Sequence, residues 1–327
     1  MTPRLTTRIG LVAFGVLLAV APLVVRRPYY QSIMVVIGIN ALAVTGLNLL
    51  MGYAGQVSLG HAAFVGIGGY GSAILTVNHG VNPWLAILAG VAVTCVVAWI
   101  IGVPTLRLHG HYLAIATLGF GIIVNIVFVE WRALTGGQSG IAGLPELRLA
   151  GIALDSHLRL YYVVWGCVYL ATIATANIQH SRVGRALRAI SSSEVAAQTA
   201  GINTGRYKVQ VFVLSAALAA VAGSMTVHYM SFANPEPFGF AYSIELVVMA
   251  VLGGAGNVWG PAVGAGAITL LTEVLQPLGN MLRPSGADLH VPAFGLILVL
   301  MLVFLPRGVT TSLALLAQRV RGVRRAG

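Results

Sequence analysis

Residues 52–75 read GYAGQVSLGHAAFVGIGGYGSAIL, a string long enough to cross a bilayer that opens on glycines and carries Gln56, Ser58 and His61. A transmembrane helix needs roughly 17–25 mostly apolar residues. Gly66, Gly68, Gly69 and Gly71 supply a small-residue face, which lets helices approach closely where lipid gives no hydrophobic drive for association. The texture extends to the whole chain: 57% of the 327 residues are hydrophobic, only 8% are charged, and forty are glycine. Soluble domains carry roughly 25% charge. An all-α polytopic membrane protein follows, with residues 1–327 forming a single transmembrane domain. The formal charge of +11 is not gathered on a water-facing module with stacking aromatics, so nucleic acid is not an expected partner. Cys95 and Cys167 lie inside apolar runs and read as buried filler rather than a disulfide.

On the bilayer-thickness ruler, about ten spans are predicted. They lie near residues 9–25, 32–50, 58–77, 84–103, 112–130, 160–178, 209–230, 242–254, 260–276 and 292–305. The run after Arg4 and Arg8 resembles a secretory signal, but Pro22 would directly follow the cut at Ala19–Ala21, and a retained first helix is expected. The eighth and ninth spans are short, separated by a glycine hinge at Gly253, Gly254 and Gly256, and are expected to be half-helices or a re-entrant pair. With both termini inside, thirteen of the nineteen Lys and Arg fall on the cytoplasmic side and six outside, as the positive-inside rule prefers. Arg26 and Arg27 argue the other way for the first helix alone. This places loop 132–159 outside, and loop 179–208 and a basic tail, 306–327, inside.

The inner loop has specific local chemistry. Ser191, with Glu194 three positions on, forms a capping-box pattern in which the carboxylate reaches back to the cap. Gly201 sits where helices commonly end in the left-handed conformation. A short helix over 195–200, presenting small residues such as Ala196 and Ala197, is predicted. Ahead of it, Arg182, Arg185 and Arg188 share a face opposite Val183, Leu187 and Ile190, a basic amphipathic stretch suited to lie along the membrane. A small-residue helix projecting between two spans fits a groove on a soluble partner.

GRALRAISSSEVAAQTAGI (184–202) resembles the coupling loop of permease subunits of ATP-binding-cassette importers. GYAGQVSLGHAAFVGIGGY (52–70), HYLAIATLGFG (111–121), LTGGQSGIAGLP (134–145), FGFAYSIELVVMAVLGGAGNVWGP (238–261) and FLPRG (304–308) are similar, in order, to the signatures of LivM-type branched-chain amino acid permeases. The resemblance implies a non-catalytic, inner-membrane subunit without a cofactor or metal. It also implies a second, related permease (LivH-type), two ATP-binding subunits, an external solute-binding protein and a small-molecule substrate as partners. Ser191, Glu194, Ala196, Ala197 and Gly201 would couple to the ATPase, and Gly136, Gly137 and Gly140 would meet the binding protein. No GxxxxGK[ST] string occurs, so ATP must act through a partner. Two features depart from the pattern. Ile122 and Asn125 stand where the family usually has a glutamate and an arginine, and Ser191–Ser193 stand where it often shows an arginine and an acid. The missing charge pair leaves the solute open among branched-chain amino acids, urea, amides and other small organic solutes.

Within the spans, Gln56, Ser58, His61, Thr117, Asn125 and Glu245 are candidates to line the path; helix-to-helix hydrogen bonds or a partly hydrated structural carboxylate are the competing explanations. Glu130, His228 and Glu273 lie near span ends and read as interfacial. His61 has no partner at metal-ligand spacing. GYAGQV (52–57) is echoed by GGAGNV (253–258), which would place two amide-bearing turns at the inner mouth, with Gly52, Gly55 and Gly60 letting the backbone turn and pack. An ion-coupled secondary transporter would also have broken helices, but it needs mid-span carboxylates, and Glu245 is the main one available. An intramembrane hydrolase would need a motif such as HExxH or GxSxG, and neither string occurs.

Overall fold

The computed structural model describes residues 3–25, 27–149 and 152–281. The helices are α1 (Pro3–Val24), α2 (Pro28–Asn48), α3 (His61–His79), α4 (Pro83–Thr105), α5 (His111–Glu130) and the single turn α6 (Arg132–Thr135). They continue with α7 (His157–His180), α8 (Arg182–Ser192), α9 (Glu194–Thr199), α10 (Thr204–Met230), α11 (Phe240–Gly253) and α12 (Gly260–Met281). Five are long and apolar enough to cross a membrane: α2 with its extension to Tyr53, α4, α5, α7 and α10. Helix starts follow local chemistry. Pro28 and Pro83 occupy first-turn positions, where a missing N–H costs nothing, and Asn82 and Asn203 cap α4 and α10 by accepting from Trp84 N and Arg206 N.

Nine predicted spans correspond to helices; the tenth, 292–305, and the basic tail lie outside the described residues. The boundaries shift where glycine intervenes. The second span continues as a π-helical turn over Leu49–Tyr53, and α3 begins at His61 rather than 58, leaving residues 55–60 unwound. Of the expected short pair, α11 has 14 residues rising about 21 Å and α12 has 22 rising about 33 Å, but neither is among the five helices long and apolar enough to cross.

Helix α3 sits at the centre, although its composition does not place it among the five apolar spans. It packs against α10 and α4 at backbone contact. A Cβ on Gly223 of α10 would lie 1.8 Å from the Val65 carbonyl oxygen, and one on Gly68 would lie 2.3 Å from Ala220 Cα. The expected glycine face is real for Gly68, Gly69 and Gly71, but Gly66 turns instead toward Phe128 of α5. Hydrogen bonds reinforce this seam. Ser224 Oγ donates to the Gly68 carbonyl at 3.0 Å, and Ser72 Oγ meets His228 Nε2 at 2.9 Å. His228, expected at the interface, is thus buried between α3 and α10.

The loop after α5 is less open than its composition suggests. Strand β1 (Ile141–Ala142) pairs antiparallel with β4 (Phe232–Ala233) after α10, and β2 (Arg148–Leu149) pairs with β3 (Ile152–Ala153). These strands lie at the end of the bundle opposite α8 and α9.

Candidate functional site

At one end of the bundle, α8 and α9 follow one another, each opened by a serine cap. Ser181 Oγ accepts from Gly184 N, and Ser193 Oγ accepts from Ala196 N. The predicted capping box is therefore misplaced by two residues: Ser191 lies within the last turn of α8, and Ser193 is the cap. Nor does Glu194 reach back to the cap. Its carboxylate pairs with Lys208 Nζ at 2.7 Å and with His109 Nε2 at 3.2 Å, tying α9 to the first turns of α10 and to the loop between α4 and α5. The competition that Glu194 wins is electrostatic. Lys208 is only 1% exposed, and a buried cation without a counter-charge is far costlier than an unmade cap bond.

The rest of α9 departs from expectation at Ala197, which was predicted to be presented to a partner and is buried against the spans. Gly201 closes the helix in the left-handed region at φ 80°. Ala197 turns inward, while Val195, Ala196 and Thr199 are exposed along one face, with Val195 71% exposed as an apolar knob. On α8, Leu187 and Ile190 are buried and the three arginines are directed outward, but Val183 is exposed rather than facing inward.

Glu194 titrates accordingly. Burial pushes its carboxyl upward, but the hydrogen bond and charge of Lys208, the Thr204 hydroxyl and the His109 charge together hold it below its ordinary value of 4.5. A carboxylate depressed in the folded state contributes stability that is present above its unfolded pKa and lost as pH falls through the folded value. We predict that α9 stays docked above pH 4.5 and loosens only below it. Hydrogen exchange over 194–201 measured from pH 7 down to pH 3 checks this; faster exchange already at pH 6 would contradict it.

The two echoing turns meet. A Cβ on Gly52 would lie 2.1 Å from Gly256 N. Gly55 and Gly256, at matching places in the two strings, both have left-handed backbones at φ 66° and 79°. Asn48, fully buried, joins the turns: its Oδ1 accepts from Gly256 N at 2.8 Å and its Nδ2 donates to the Asn257 carbonyl at 2.9 Å. Gly55 abuts Ser191 of α8, where a Cβ would come 2.8 Å from Ser191 Oγ. Beyond the hinge, α11 and α12 pack with backbone contact, since Cβ atoms on Gly253 and Gly264 would lie 2.0 Å from the Gly260 carbonyl and 1.9 Å from the Met249 carbonyl. The contact at Gly254 is also tight, because a Cβ on Gly260 would lie 2.6 Å from the Gly254 carbonyl oxygen.

Most polar candidates near the first turn serve the backbone. Gln56 Nε2 donates to the Ala54 carbonyl. Thr117 Oγ1 accepts from Leu59 N at 3.0 Å, beneath Gly60, whose Cβ would strike the Thr117 carbonyl at 2.0 Å. His61 Nε2 lies 3.2 Å from the Ala43 carbonyl, joining α3 to α2. Asn125 Nδ2 donates to the Pro235 carbonyl at 3.4 Å, and Ile122 is exposed on α5. Ser58 Oγ is buried and makes no hydrogen bond among the described residues.

Glu245 is placed differently. It lines a half-open cavity of about 440 Å³ between α2, the end of α10, α11 and α12. Asn40, Tyr242 and Thr269 form its polar floor: Tyr242 OH donates to Asn40 Oδ1 at 2.8 Å, and Asn40 Nδ2 donates to Thr269 Oγ1 at 3.1 Å. Glu236 and Glu273 stand on its rim, with Tyr29 OH donating to Glu273. Val36, Ile39 and Phe238 supply apolar walls, and among the described residues the lining contains no Lys, Arg or His. The volume suits a small solute. Thr226 and Tyr229 place the cavity near the C-terminus of α10, about 33 Å along that helix from Thr204 at the α8–α9 end.

Gly136, Gly137 and Gly140 hold shape. A Cβ on Gly136 would lie 2.1 Å from the Gly140 carbonyl and one on Gly140 2.2 Å from the Ala233 carbonyl, and Gly137 is buried. The exposed surface of this turn is Gln138 and Ser139. Sequence reasoning missed Asn48, Lys208 and His109. The first two carried a signal, each being a polar or cationic side chain inside or at the mouth of an apolar helix.

A many-helix membrane protein with a short docked helix at one end and a solute-sized cavity toward the other has the layout of a permease. Residues 29–306 match the family described as the permease component of branched-chain amino acid transport systems, and the chain belongs to that family. It is 30% identical over 286 residues to the high-affinity branched-chain amino acid transport system permease protein LivM of Salmonella typhimurium, covering 80% of this chain and 65% of the relative. The chain thus spans just under two thirds of that relative's length. It is also 30% identical to the LivH permease protein of Escherichia coli, across 82% of this chain and 90% of LivH. The ribose import permease protein RbsC of Haemophilus influenzae is 29% identical over 47% of this chain and 48% of its own. No solved structure matches.

Proposed function

We propose that this chain is the membrane-embedded permease subunit of an ATP-binding-cassette importer for branched-chain or related amino acids. The observation that carries the reading is α9: a capped helix whose exposed face holds Val195, Ala196 and Thr199, fixed to the spans by the Glu194–Lys208 pair. The chain itself carries out no reaction and binds no nucleotide. A related permease completes the path, two ATP-binding subunits grip α9 from the cytoplasm, and an external solute-binding protein delivers the solute on the side of Gln138 and Ser139. Both termini are cytoplasmic in the inner membrane.

Motion has a contiguous route in this reading. The coupling element touches the first turn at Gly55 through Ser191; that turn touches the second through Asn48 and Gly52; the second leads into the α11–α12 hairpin bearing Glu245 and Thr269. ATP-driven closure would bias two arrangements of this hairpin, opening and closing the cavity. In the cavity the carboxylates receive the ammonium group, the Asn40–Tyr242–Thr269 floor offers polar contacts to the carboxylate, and Val36, Ile39 and Phe238 receive the branched side chain.

The test is co-expression with candidate ATPase and permease partners, followed by purification and ATP hydrolysis in proteoliposomes. Assembly with an ATPase and uptake that stops without ATP are expected; uptake that persists on a proton gradient alone would reject the reading. In the same system, Glu245→Gln is expected to reduce leucine uptake tenfold or more, about 1.4 kcal/mol or more, with assembly intact. Unchanged uptake would remove Glu245 from the path.

A further inference from the structure

A second cavity, of about 660 Å³, lies at the coupling-loop end between α4 and α10. Its long wall is apolar, formed by Trp99, Val103, Val209 and Val213, and its mouth carries Arg107 and Arg206. Gly102 brings the two helices together behind it, since a Cβ there would lie 2.9 Å from Phe212 Cδ1. Neither guanidinium makes an ion pair or a hydrogen bond among the described residues. The nearby acid, Glu194, is engaged by Lys208 and His109. Two free, exposed cations therefore cap an apolar groove on the side of the bundle, and Trp99 lies about 9 Å along α4 from Thr105, two residues before Arg107, at acyl-chain depth beneath a headgroup held at the mouth.

We propose that this groove is a binding site for an anionic phospholipid of the leaflet on the coupling-loop side. Arg107 and Arg206 hold the phosphate, and an acyl chain lies along Val103, Val213 and Trp99. A guanidinium matches phosphate oxygens with paired N–H donors, and basic pockets between transmembrane helices are where anionic headgroups collect. The first turn of α10 adds its positive helix end to the same mouth. A zwitterionic lipid brings its own ammonium group beside the two arginines and is disfavoured. The site also has a consequence for coupling. Its two walls, α4 and α10, lead into the His109 and Lys208 ends that hold Glu194, so an occupied groove braces the seat of α9. That consequence rests on the permease reading; the lipid site does not.

A photo-crosslinking amino acid at Val213 in the full chain, in membranes of known phosphatidylglycerol and phosphatidylethanolamine content, tests the proposal. Adducts are identified by mass after irradiation. Phosphatidylglycerol adducts enriched on the order of tenfold over the bulk ratio, with enrichment lost in Arg107→Gln/Arg206→Gln, are expected. Both arginines are exposed, so the double variant folds, which size-exclusion elution verifies. Adducts that follow the bulk lipid ratio, adducts to a polypeptide, or enrichment that survives the double substitution would each overturn it. ATPase co-purification in the same preparation reports separately on the permease reading.

Discussion

Gly223→Leu is expected to leave little or no folded protein in the membrane. Gly223 lies where α10 crosses α3, and even a methyl group there would lie 1.8 Å from the Val65 carbonyl oxygen and 2.6 Å from its carbon. The obstruction is backbone in the middle of a helix, so no rotamer change relieves it and the two helices must separate. Separation breaks the neighbouring contacts together: Gly68 against Ala220, the Ser224–Gly68 bond, and the Ser72–His228 bond. Overpacking a core costs about 1–3 kcal/mol where side chains can yield; here the cost is expected at or above ~3 kcal/mol. Fluorescence-detected size-exclusion of membrane extracts checks it, with Gly119→Leu as the matched control, since a Cβ at Gly119 meets nothing within 4 Å. A monodisperse Gly223→Leu peak with wild-type thermal stability would show that α3 and α10 do not need this approach.

The same residues show what was legible in the sequence and what was not. A period of apolar runs separated by Gly, Pro, Asn and charge located the helices, because bilayer thickness fixes their length independently of how they pack. The glycine face of α3 was also legible, since Gly68, Gly69 and Gly71 recur where only small residues permit backbone contact. The echo of residues 52–57 in 253–258 was visible as a string, but not that the two turns touch through Asn48, because pairing between residues some 200 positions apart leaves no local signature. Ser191 was misread for a similar reason. Three consecutive serines offer three possible caps, and the register is set by where Leu187 and Ile190 bury and by Lys208, fourteen positions beyond Glu194, which holds that carboxylate away from the cap. Among the polar candidates, Gln56, His61 and Thr117 have the composition of a path but are engaged by main-chain groups of the unwound segment and of α2, while Glu245 is left facing a cavity.

Replacing Glu194 by alanine together with Gly201 by leucine is expected to leave the protein inserted while abolishing ATPase coupling. Glu194→Ala removes the counter-charge of a lysine that is 1% exposed, and breaking a buried pair from one side costs about 3–5 kcal/mol. The chain can avoid most of that penalty only by releasing α9 and letting the Lys208 ammonium reach water. Gly201→Leu forces a branched side chain into a left-handed residue at φ 80°, a strain of about 1–3 kcal/mol relieved by the same unwinding. Both changes act outside the α3–α10 seam, so insertion and thermal stability of the spans should be near wild type while solute-stimulated ATP hydrolysis falls at least tenfold. Charge and contact are separated by adding Lys208→Met. If Glu194 acts by compensating the buried ammonium, Glu194→Ala/Lys208→Met recovers α9 docking and part of the ATPase signal. If Glu194 instead contacts the ATPase directly, the signal stays lost although hydrogen exchange over 194–201 returns to wild type. Unchanged transport in the Glu194→Ala/Gly201→Leu variant would remove α9 from the coupling route altogether.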